Sequence, residues 1–322
     1  KNRPPANQQL TTPTDKHRLG WVRSYEVIRL EKDGMIAMMK KSMVLFLPLC
    51  LLVGLAASQE IDDQSLERQI TATAEELIEK GKVFKMSELV SQLDRSSCQL
   101  KLPPAETIAS SAQELYEKAG KSVLIISRIY RCDQCGHWHD RSTSGFLITS
   151  CGAVVTNYHV VDAADNETMV ATTSDGKVFP VREVLAASKR DDIAILQLDL
   201  SGADYHLTPL SISPHSPVGS KVYVISHPEG RFYTLTEGIV SRRAAMPTDK
   251  GKASQLFITA DFAKGSSGAP VLNEDGQVVG IVASTHSVYY TDTQELQEDL
   301  QMVFKSCVPS NSLLKLVKTP DS

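Results

Sequence analysis

Between residues 122 and 308 the chain is a succession of short apolar segments separated by turn residues, and this pattern constrains the fold most strongly. The segments are rich in Val, Ile, Leu and Thr and form two groups of about six, which is typical of short antiparallel strands. The first group comprises residues 122–129, 145–149, 153–159, 168–173, 178–187 and 193–200. The second group comprises residues 221–226, 233–242, 255–260, 269–272, 277–284 and 302–308. We therefore predict an all-β fold of two packed six-stranded antiparallel β-barrels.

Amphipathic segments flank the predicted barrels. Residues 60–93 carry apolar side chains at helical spacing, which predicts a helix and then a connector, and residues 105–119 predict a second helix that ends at Gly120. Residues 312–318 predict a short C-terminal helix. The predicted organisation is an unstructured upstream extension (1–34), an export segment (35–58), a helical and linker region (59–120) and a barrel domain (121–322).

The segment 35–58 has the order of a secretory signal peptide. Met39-Lys40-Lys41 precedes the apolar residues 43–55, and the small residues 56–58 follow, so that cleavage is expected before Gln59. The apolar part is too short to cross a bilayer, which takes about 20 residues. We therefore predict an exported protein, periplasmic or secreted, that meets a membrane only through this segment.

A lipoprotein anchor on Cys50 is the alternative to simple cleavage, although the bulky Leu49 before it disfavours this reading. Residues 1–34 precede the first methionine, Met35, whereas a signal peptide normally stands at the N-terminus. We interpret these residues as an upstream extension, and the true start codon stays open.

The charge of the chain excludes a generic basic nucleic-acid-binding protein. Lys and Arg total 34 against 38 Asp and Glu, a formal charge of −4, and 42% apolar residues are enough for a substantial core. Residues 1–58 hold nine basic and four acidic residues, so the expected exported product holds 25 and 34, a formal charge of −9. We expect an acidic exported protein without a nucleic-acid partner.

Three local patterns carry the residue types of a nucleophilic catalytic centre. His159 ends an apolar segment, Asp191 and Asp192 precede another, and Ser266 and Ser267 lie in the glycine-flanked turn 265–268. A serine is a weak nucleophile unless a base such as histidine takes its proton, and a carboxylate behind the histidine sets its tautomer. Each residue alone is more often structural. In this order and within one double-barrel pattern, they predict a Ser-His-Asp centre.

Residues 121–318 resemble the trypsin-like serine endopeptidases of the chymotrypsin fold, most closely the bacterial Deg/HtrA branch. The resemblance rests on Gly145-Phe146-Leu147-Ile148, Thr156-Asn157-Tyr158-His159-Val160-Val161, Asp192-Ile193-Ala194-Ile195-Leu196, Gly265-Ser266-Ser267-Gly268 and Gly280-Ile281-Val282. It implies that the barrels are chymotrypsin-like and that residues 121–322 form a trypsin-like serine protease domain.

The resemblance also implies a role for each residue of the centre. His159 is then the general base, Asp192 the carboxylate that orients it, and Ser267 the nucleophile. The backbone N–H groups of Gly265 and Ser267 would form the oxyanion hole.

Asp191 and Ser266 are the rival carboxylate and the rival nucleophile. The family's spacing selects Asp192, directly before Ile-Ala, and the third position of the Gly-Xaa-Ser-Gly turn, which is Ser267. Ser266 stands where trypsin-like zymogens have an acidic residue, so activation by a newly released N-terminus is not expected. The PDZ domains usual in the Deg branch have no counterpart in this sequence.

Asp261 lies six residues before Ser267, the offset of the pocket aspartate in trypsin. The resemblance implies either a pocket for Lys or Arg side chains or, equally, a loop of different shape that Asp261 caps. Ala283, Ser284 and Thr285 would line the edge of this substrate-binding pocket.

Five cysteines follow the export segment: Cys98, Cys132, Cys135, Cys151 and Cys307. The segment Cys132-Asp133-Gln134-Cys135-Gly136-His137-Trp138-His139 holds four possible zinc ligands in the loop between the first two strands. In an exported protein a disulfide is favoured over a metal, either between Cys132 and Cys135 or from one of them to Cys98 or Cys151. A structural zinc site is the alternative.

Taken together, these features predict an exported serine endopeptidase that hydrolyses peptide bonds through an acyl-enzyme, acts on proteins or peptides and needs no cofactor. One alternative is a non-catalytic binding protein with the trypsin fold, and another is a protease whose CxxC loop binds structural zinc. The oligomeric state is not predicted.

Overall fold

A computed structural model describes residues 60–163, 166–202, 205–249, 251–293 and 296–320. The predicted upstream extension (1–34) and export segment (35–58) lie outside the described residues. Within the described ranges, no helix is both long enough and apolar enough to cross a membrane.

Most of the described elements are strands. The α-helices are α1 (Asp63–Glu79), α2 (Met86–Ser91), α3 (Ala112–Ala119), α4 (Tyr158–Val161) and α5 (Ser310–Leu314), and 3-10 turns cover Gly120–Ser122 and Pro228–Gly230. The strands of the N-terminal half are β1 (Cys98–Gln99), β2 (Val123–Arg131), β3 (Trp138–Leu147), β4 (Ala153–Thr156), β5 (Thr168–Thr172), β6 (Val178–Ser188) and β7 (Ile193–Leu198). Those of the C-terminal half are β8 (Lys221–Ser226), β9 (Thr234–Thr248), β10 (Gly251–Ile258), β11 (Pro270–Leu272), β12 (Val278–Asp292), β13 (Gln297–Pro309) and β14 (Val317–Lys318).

Two closed six-stranded barrels form the fold, as predicted. The first has the strand order β2-β3-β4-β7-β6-β5 and the second the order β10-β13-β12-β11-β8-β9, and neighbouring strands are antiparallel in both. Closure gives every barrel strand a partner on both sides over part of its length, so the apolar runs can be buried on the inside. The all-β prediction is confirmed.

Two hairpins are longer than the sequence predicts. β9 and β10 stay paired as far as Thr248 and Gly251, and β12 and β13 as far as Asp292 and Gln297. Their outer parts are largely exposed and polar, so they lack the apolar runs that mark the barrel strands.

Several predicted bounds shift for local reasons. β4 ends at Thr156, and residues 158–161 form the short helix α4 instead of continuing the strand to 159. α3 begins at Ala112 instead of 105, because the Ser111 hydroxyl accepts a hydrogen bond from the Glu114 N–H at 3.2 Å and so caps the helix there.

The C-terminal prediction is shifted as well. α5 ends at Leu314, and Val317–Lys318 then form β14, which pairs in parallel with Cys98–Gln99. The end of the described chain is thus tied to the segment that precedes the barrels.

The helical region shares a hydrophobic core with the barrels. Ile70 and Ala74 of α1 and Leu115 of α3 are fully buried in one cluster with Phe146 of the first barrel and Ile281 of the second. Residues from 60 to 120 therefore contribute to packing around both barrels.

Candidate active site

His159 and Asp192 meet at the mouth of the first barrel. His159 lies in α4, directly after β4, and its Nδ1 lies 3.0 and 2.9 Å from the two carboxylate oxygens of Asp192. The backbone N–H of His159 donates to the same carboxylate at 3.0 Å. Because both carboxylate oxygens are acceptors, Nδ1 carries the proton, and Nε2 is left as the basic nitrogen.

The backbone of Asp192 adopts an uncommon conformation that presents its carboxylate to His159. Its φ is +54°, in the left-handed region that costs a non-glycine residue free energy. The Asn157 side-chain amide donates to the Asp192 carbonyl at 2.9 Å and so holds the turn in place. This hydrogen bond ties the residue before α4 to the residue before β7.

Asp191 points elsewhere. Its buried carboxylate pairs with the Arg190 guanidinium at 2.8 Å and accepts a hydrogen bond from the Ser188 hydroxyl at 3.0 Å. Of the two neighbouring aspartates, Asp192 is therefore the one that faces His159.

The turn 265–268 requires glycine at both ends. Gly265 and Gly268 have φ values of +93° and +87°. A Cβ on Gly268 would lie 2.2 Å from the Ser144 carbonyl oxygen, and one on Gly265 would lie 2.5 Å from the His227 carbonyl oxygen. The turn is thus pressed against β3 of the first barrel and against the loop after β8.

Ser144 of β3 holds this turn by two hydrogen bonds. Its backbone N–H donates to the Ser267 carbonyl at 2.9 Å, and its hydroxyl donates to the Gly265 carbonyl at 3.0 Å. The second-barrel turn that carries Ser267 is therefore anchored on the first barrel, which carries His159 and Asp192.

The backbone N–H of Gly265 has no hydrogen-bond acceptor among the described residues. The carbonyl of Lys264 accepts a hydrogen bond from the Glu229 N–H at 2.8 Å. Since a trans peptide holds its C=O and N–H on opposite sides, the Gly265 N–H points away from Glu229.

The backbone N–H of Ser267 is equally without an acceptor within the described ranges. The Ser266 carbonyl accepts from the Ala269 N–H at 3.0 Å, so the N–H of the same peptide, that of Ser267, points to the opposite side. The single peptide between these two has both of its groups bonded, since the Gly265 carbonyl accepts from the Ser144 hydroxyl and the Ser266 N–H donates to the Ala263 carbonyl at 3.0 Å. An anion could recruit the two remaining N–H groups.

The Ser267 hydroxyl bonds to the second barrel and not to the histidine. Its Oγ donates to the Ala283 carbonyl at 3.4 Å, and within the described residues it forms no hydrogen bond with His159. Ser267 is half-buried, whereas its neighbour Ser266 is fully buried. Of these two serines, only Ser267 can therefore be reached from solvent. A rotation about its Cα–Cβ bond would take the hydroxyl away from the Ala283 carbonyl.

The segment predicted to line the substrate pocket lies in β12. Ala283 is half-buried at a bulge in the pairing of β12 with β13, and Ser284 and Thr285 are exposed. Within the described residues, Val282 is the last β12 residue whose backbone bonds to the backbone of the turn 265–268, through the Gly268 N–H at 3.0 Å. Beyond it, this edge of β12 is open to an extended chain.

Asp261 is on the surface. Its side chain is 85% exposed and pairs with the Lys305 ammonium at 3.2 Å, while Lys305 also donates to the Phe262 carbonyl at 2.8 Å. This geometry favours a capped loop over a desolvated slot for basic side chains, and the basic pocket stays a prediction.

His227 packs against the turn 265–268, a role that its sequence context does not indicate. It is fully buried, accepts a hydrogen bond from the Tyr233 N–H at 3.0 Å and packs edge-on against Phe232. Burial lowers its pKa from 6.5 to about 3, so the ring is neutral. Ser144 acts through its backbone N–H and its hydroxyl group. No motif in the sequence marks this residue either.

All five cysteines of the described region are free thiols, so the disulfide stays a prediction without a counterpart in the structure. Cys307 is buried and Cys151 exposed, and burial raises the pKa of the Cys98 thiol to about 11. The sulfurs of Cys132 and Cys135 lie within 4.8 Å of each other and of a ring nitrogen of His139.

The family of trypsin-like peptidase domains matches residues 143–281, a range that holds His159, Asp192 and Ser267. The chain carries a trypsin-like peptidase domain. The resemblance found in the motifs is thus confirmed.

Several proteases are similar to the trypsin-like domain of this chain. "Protease Do-like 1, chloroplastic" of Arabidopsis thaliana is 33% identical over 150 residues, 45% of this chain and 34% of that protein. "Putative serine protease HhoA" of Synechocystis is 36% identical over 143 residues, 43% of this chain and 35% of its own length. "Probable periplasmic serine endoprotease DegP-like" of Halomonas elongata is 34% identical over 151 residues, 45% and 30% of the two chains. The chain spans about a third of the length of these curated relatives.

Proposed function

We propose that this protein is an exported serine endopeptidase that cleaves proteins or peptides with Ser267, His159 and Asp192. The observation that carries the proposal is the double hydrogen bond between His159 Nδ1 and the Asp192 carboxylate, at 3.0 and 2.9 Å. It leaves Nε2 as the base that would serve Ser267, the half-buried serine of the turn 265–268. The trypsin-like domain and the proteases similar to it support the same reaction class.

The first step needs the Ser267 hydroxyl to turn toward His159. In this step the hydroxyl leaves the Ala283 carbonyl and donates to His159 Nε2. Hydrogen bonds of this kind are often unformed before substrate binds. As Ser267 Oγ attacks the scissile carbonyl carbon, His159 takes its proton, and the Asp192 carboxylate stabilises the imidazolium.

The two unbonded N–H groups account for the stabilisation of the intermediate. The N–H groups of Gly265 and Ser267 would donate to the oxyanion of the tetrahedral intermediate. His159 then gives its proton to the leaving amine, which yields the acyl-enzyme, and water activated by the same histidine releases the acid. The chemistry requires no cofactor.

The open edge of β12 suits an extended peptide substrate. A chain that runs antiparallel to residues 283–285 would form backbone hydrogen bonds with them beside Ser267. Such main-chain recognition orients the scissile bond independently of most substrate side chains, so an endopeptidase is favoured over an enzyme for small esters.

A fluorophosphonate probe tests the nucleophile. We expect the wild type to be labelled covalently and Ser267→Ala to be unlabelled. Ser266→Ala is the matched control, because it removes a neighbouring hydroxyl that is buried in the same turn. Labelling that persists in Ser267→Ala, or a folded wild type that resists the probe, would defeat the proposal.

A non-catalytic peptide-binding protein is the second candidate. The bond from Ser267 to the Ala283 carbonyl instead of to His159 favours it. Under this alternative, peptides would bind along β12 with equal affinity in the wild type and in Ser267→Ala, and neither protein would release a cleavage product.

Export is proposed from residues 35–58 and from the similarity to the Halomonas elongata protease, which is named as periplasmic. The test is the N-terminal sequence of the protein recovered from the extracytoplasmic fraction of a bacterial host. A mature chain that begins at Gln59 is expected, and an uncleaved chain confined to the cytoplasm would contradict export.

A further inference from the structure

A cluster of three metal-ligating side chains lies at the tip of the β2–β3 hairpin, outside the proposed catalytic centre. The sulfurs of Cys132 and Cys135 and a ring nitrogen of His139 all lie within 4.8 Å of one another. The Cys135 sulfur is 3.1 Å from Nε2 of His139. Two thiols and one imidazole are the ligand types that zinc prefers.

The spacing of these atoms suits a metal between them. With zinc–sulfur bonds of about 2.3 Å and zinc–nitrogen bonds of about 2.0–2.1 Å, tetrahedral geometry separates sulfur from nitrogen by about 3.6 Å. A movement of a few tenths of an ångström would bring Cys135 and His139 to this separation. A disulfide between the two cysteines would not account for the position of His139.

The loop holds the two sulfurs in place before any ligand binds. The Cys132 N–H donates to the His137 carbonyl at 2.9 Å, and the Gly136 N–H donates to the Cys132 carbonyl at 2.8 Å. Gly136 has a φ of +72°, which closes the turn without a side-chain clash. The Arg131 guanidinium donates to the Gly136 carbonyl at 3.1 Å and braces the turn from β2.

His139 is oriented by packing on the opposite strand. It pairs with Tyr130 across β2 and β3, and the two rings stack with centroids 5.8 Å apart. Arg141 covers the Tyr130 ring, with its guanidinium carbon 4.4 Å from the ring centroid. The imidazole is therefore held by its ring face while Nε2 is directed at Cys135.

We propose that Cys132, Cys135 and His139 bind one zinc ion, with water as the fourth ligand. Two thiolates and a neutral imidazole balance the charge of Zn²⁺, and the exposure of Cys135 and His139 gives the ion an entry path. The ion would fix the hairpin tip. This site shares no residue with the proposed catalytic centre.

Cobalt substitution and zinc analysis test the site without reference to activity. The full chain, reduced with a non-chelating reagent and reconstituted, is expected to hold one equivalent of zinc. With Co²⁺ it should show thiolate-to-cobalt charge-transfer bands and the visible bands of tetrahedral cobalt. Zinc should also raise the Tm of the wild type.

Variants with matched controls define the ligand set. Cys132→Ser and His139→Ala should weaken zinc binding by more than about 100-fold, beyond the loss typical of outer-sphere partners. His137→Ala, in the same loop, and Cys151→Ser, an exposed thiol elsewhere, should bind zinc as the wild type does.

Three outcomes would overturn the proposal. They are a folded wild type without tetrahedral cobalt bands, a purified protein with a Cys132–Cys135 disulfide and no metal, and loss of zinc in His137→Ala equal to that in His139→Ala.

Discussion

Asp192 is the single residue whose conformation matters most for the proposed centre. Its left-handed backbone, with φ at +54°, and its bond to Asn157 place both carboxylate oxygens on His159. Strain of this kind persists where neighbouring contacts hold it in place. Its neighbour Asp191 forms an ion pair with Arg190 instead, so the two adjacent carboxylates have separable roles.

Asp192→Asn tests this separation. An amide in place of the carboxylate favours the wrong histidine tautomer, and we expect kcat for a peptide substrate to fall by roughly 10⁴-fold. Asp191→Asn is the control, and it should lower the free energy of unfolding while kcat stays within about tenfold of the wild type. Steady-state kinetics beside urea unfolding separate the two effects, and equal losses of kcat would contradict the assignment.

His227 predicts an acid dependence of stability. Its pKa is about 3 in the folded chain against 6.5 in the unfolded chain, so folding favours the neutral ring. The stabilisation is therefore complete above pH 6.5 and is lost as the pH falls toward 3, by about 1.4 kcal/mol per pH unit for one proton.

His227→Asn should flatten this part of the stability profile, since its side-chain oxygen can still accept the Tyr233 N–H but does not take up a proton. Urea unfolding between pH 7 and pH 4 measures the slope. His206→Asn, an exposed histidine, is the control that should keep the wild-type slope. An unchanged slope in His227→Asn would show that other groups set the acid response.

At the scale of the elements, the turn 265–268 is closely fitted to its surroundings. Gly268 approaches Ser144 and Thr156 of the first barrel so closely that a Cβ would lie 2.2 Å from one oxygen and 2.3 Å from the other. The contact involves backbone and a buried hydroxyl, neither of which can move aside at low cost.

Gly268→Ala should therefore destabilise the fold by more than about 4 kcal/mol or displace the turn and abolish probe labelling. Gly202→Ala is a matched control, because Gly202 also has a positive φ, +76°, but no atom of the described residues within 4 Å of its would-be Cβ. That substitution should cost only about 1–2 kcal/mol. Urea unfolding and fluorophosphonate labelling of both variants provide the comparison, which fails if the two behave alike.

The strands that can be predicted from the sequence are those whose side chains are buried. The barrel strands were predictable because their side chains are buried and leave continuous apolar runs, as in β2 and β7. The outer halves of β9 and β12 were not, since exposed strands resemble loops in composition.

The residues of the candidate site divide in the same way, into those that a local motif marks and those that only the fold brings into place. His159, Asp192 and Ser267 stand in local motifs that sequence reasoning can find. Ser144 holds the turn through a contact 121 residues away, and the burial of His227 is a property of the folded core. Neither contact leaves a local pattern, so only the structure assigns them a position.

At the scale of the whole molecule, the helices that precede the barrels contribute to the packing of both barrels. α1 buries Ile70 in the cluster that spans both barrels, and Asp63 at its start accepts the Phe232 N–H of the second barrel at 3.0 Å. Phe232 packs against His227, which lies against the turn 265–268. α1 is therefore linked to this turn through Phe232 and His227. The helical region thus acts as part of the packed structure.

Ile70→Ala should lower the free energy of unfolding by about 2–5 kcal/mol, the usual cost of truncating a fully buried aliphatic side chain. Ile61→Ala, at a position 43% exposed, should change it by less than about 0.5 kcal/mol. Chemical denaturation of the full chain measures both. Equal, small effects would mean that α1 adds little to the stability of the barrels.

The hydrogen bonds from Ser144 to the turn 265–268 have a consequence for the newly synthesised chain. The turn belongs to the second barrel, yet it is held by a strand of the first. A nascent chain in which only one barrel has folded therefore has no assembled centre. Under the proposed activity, a chain with only one folded barrel would not cleave its neighbours, because the centre needs both barrels.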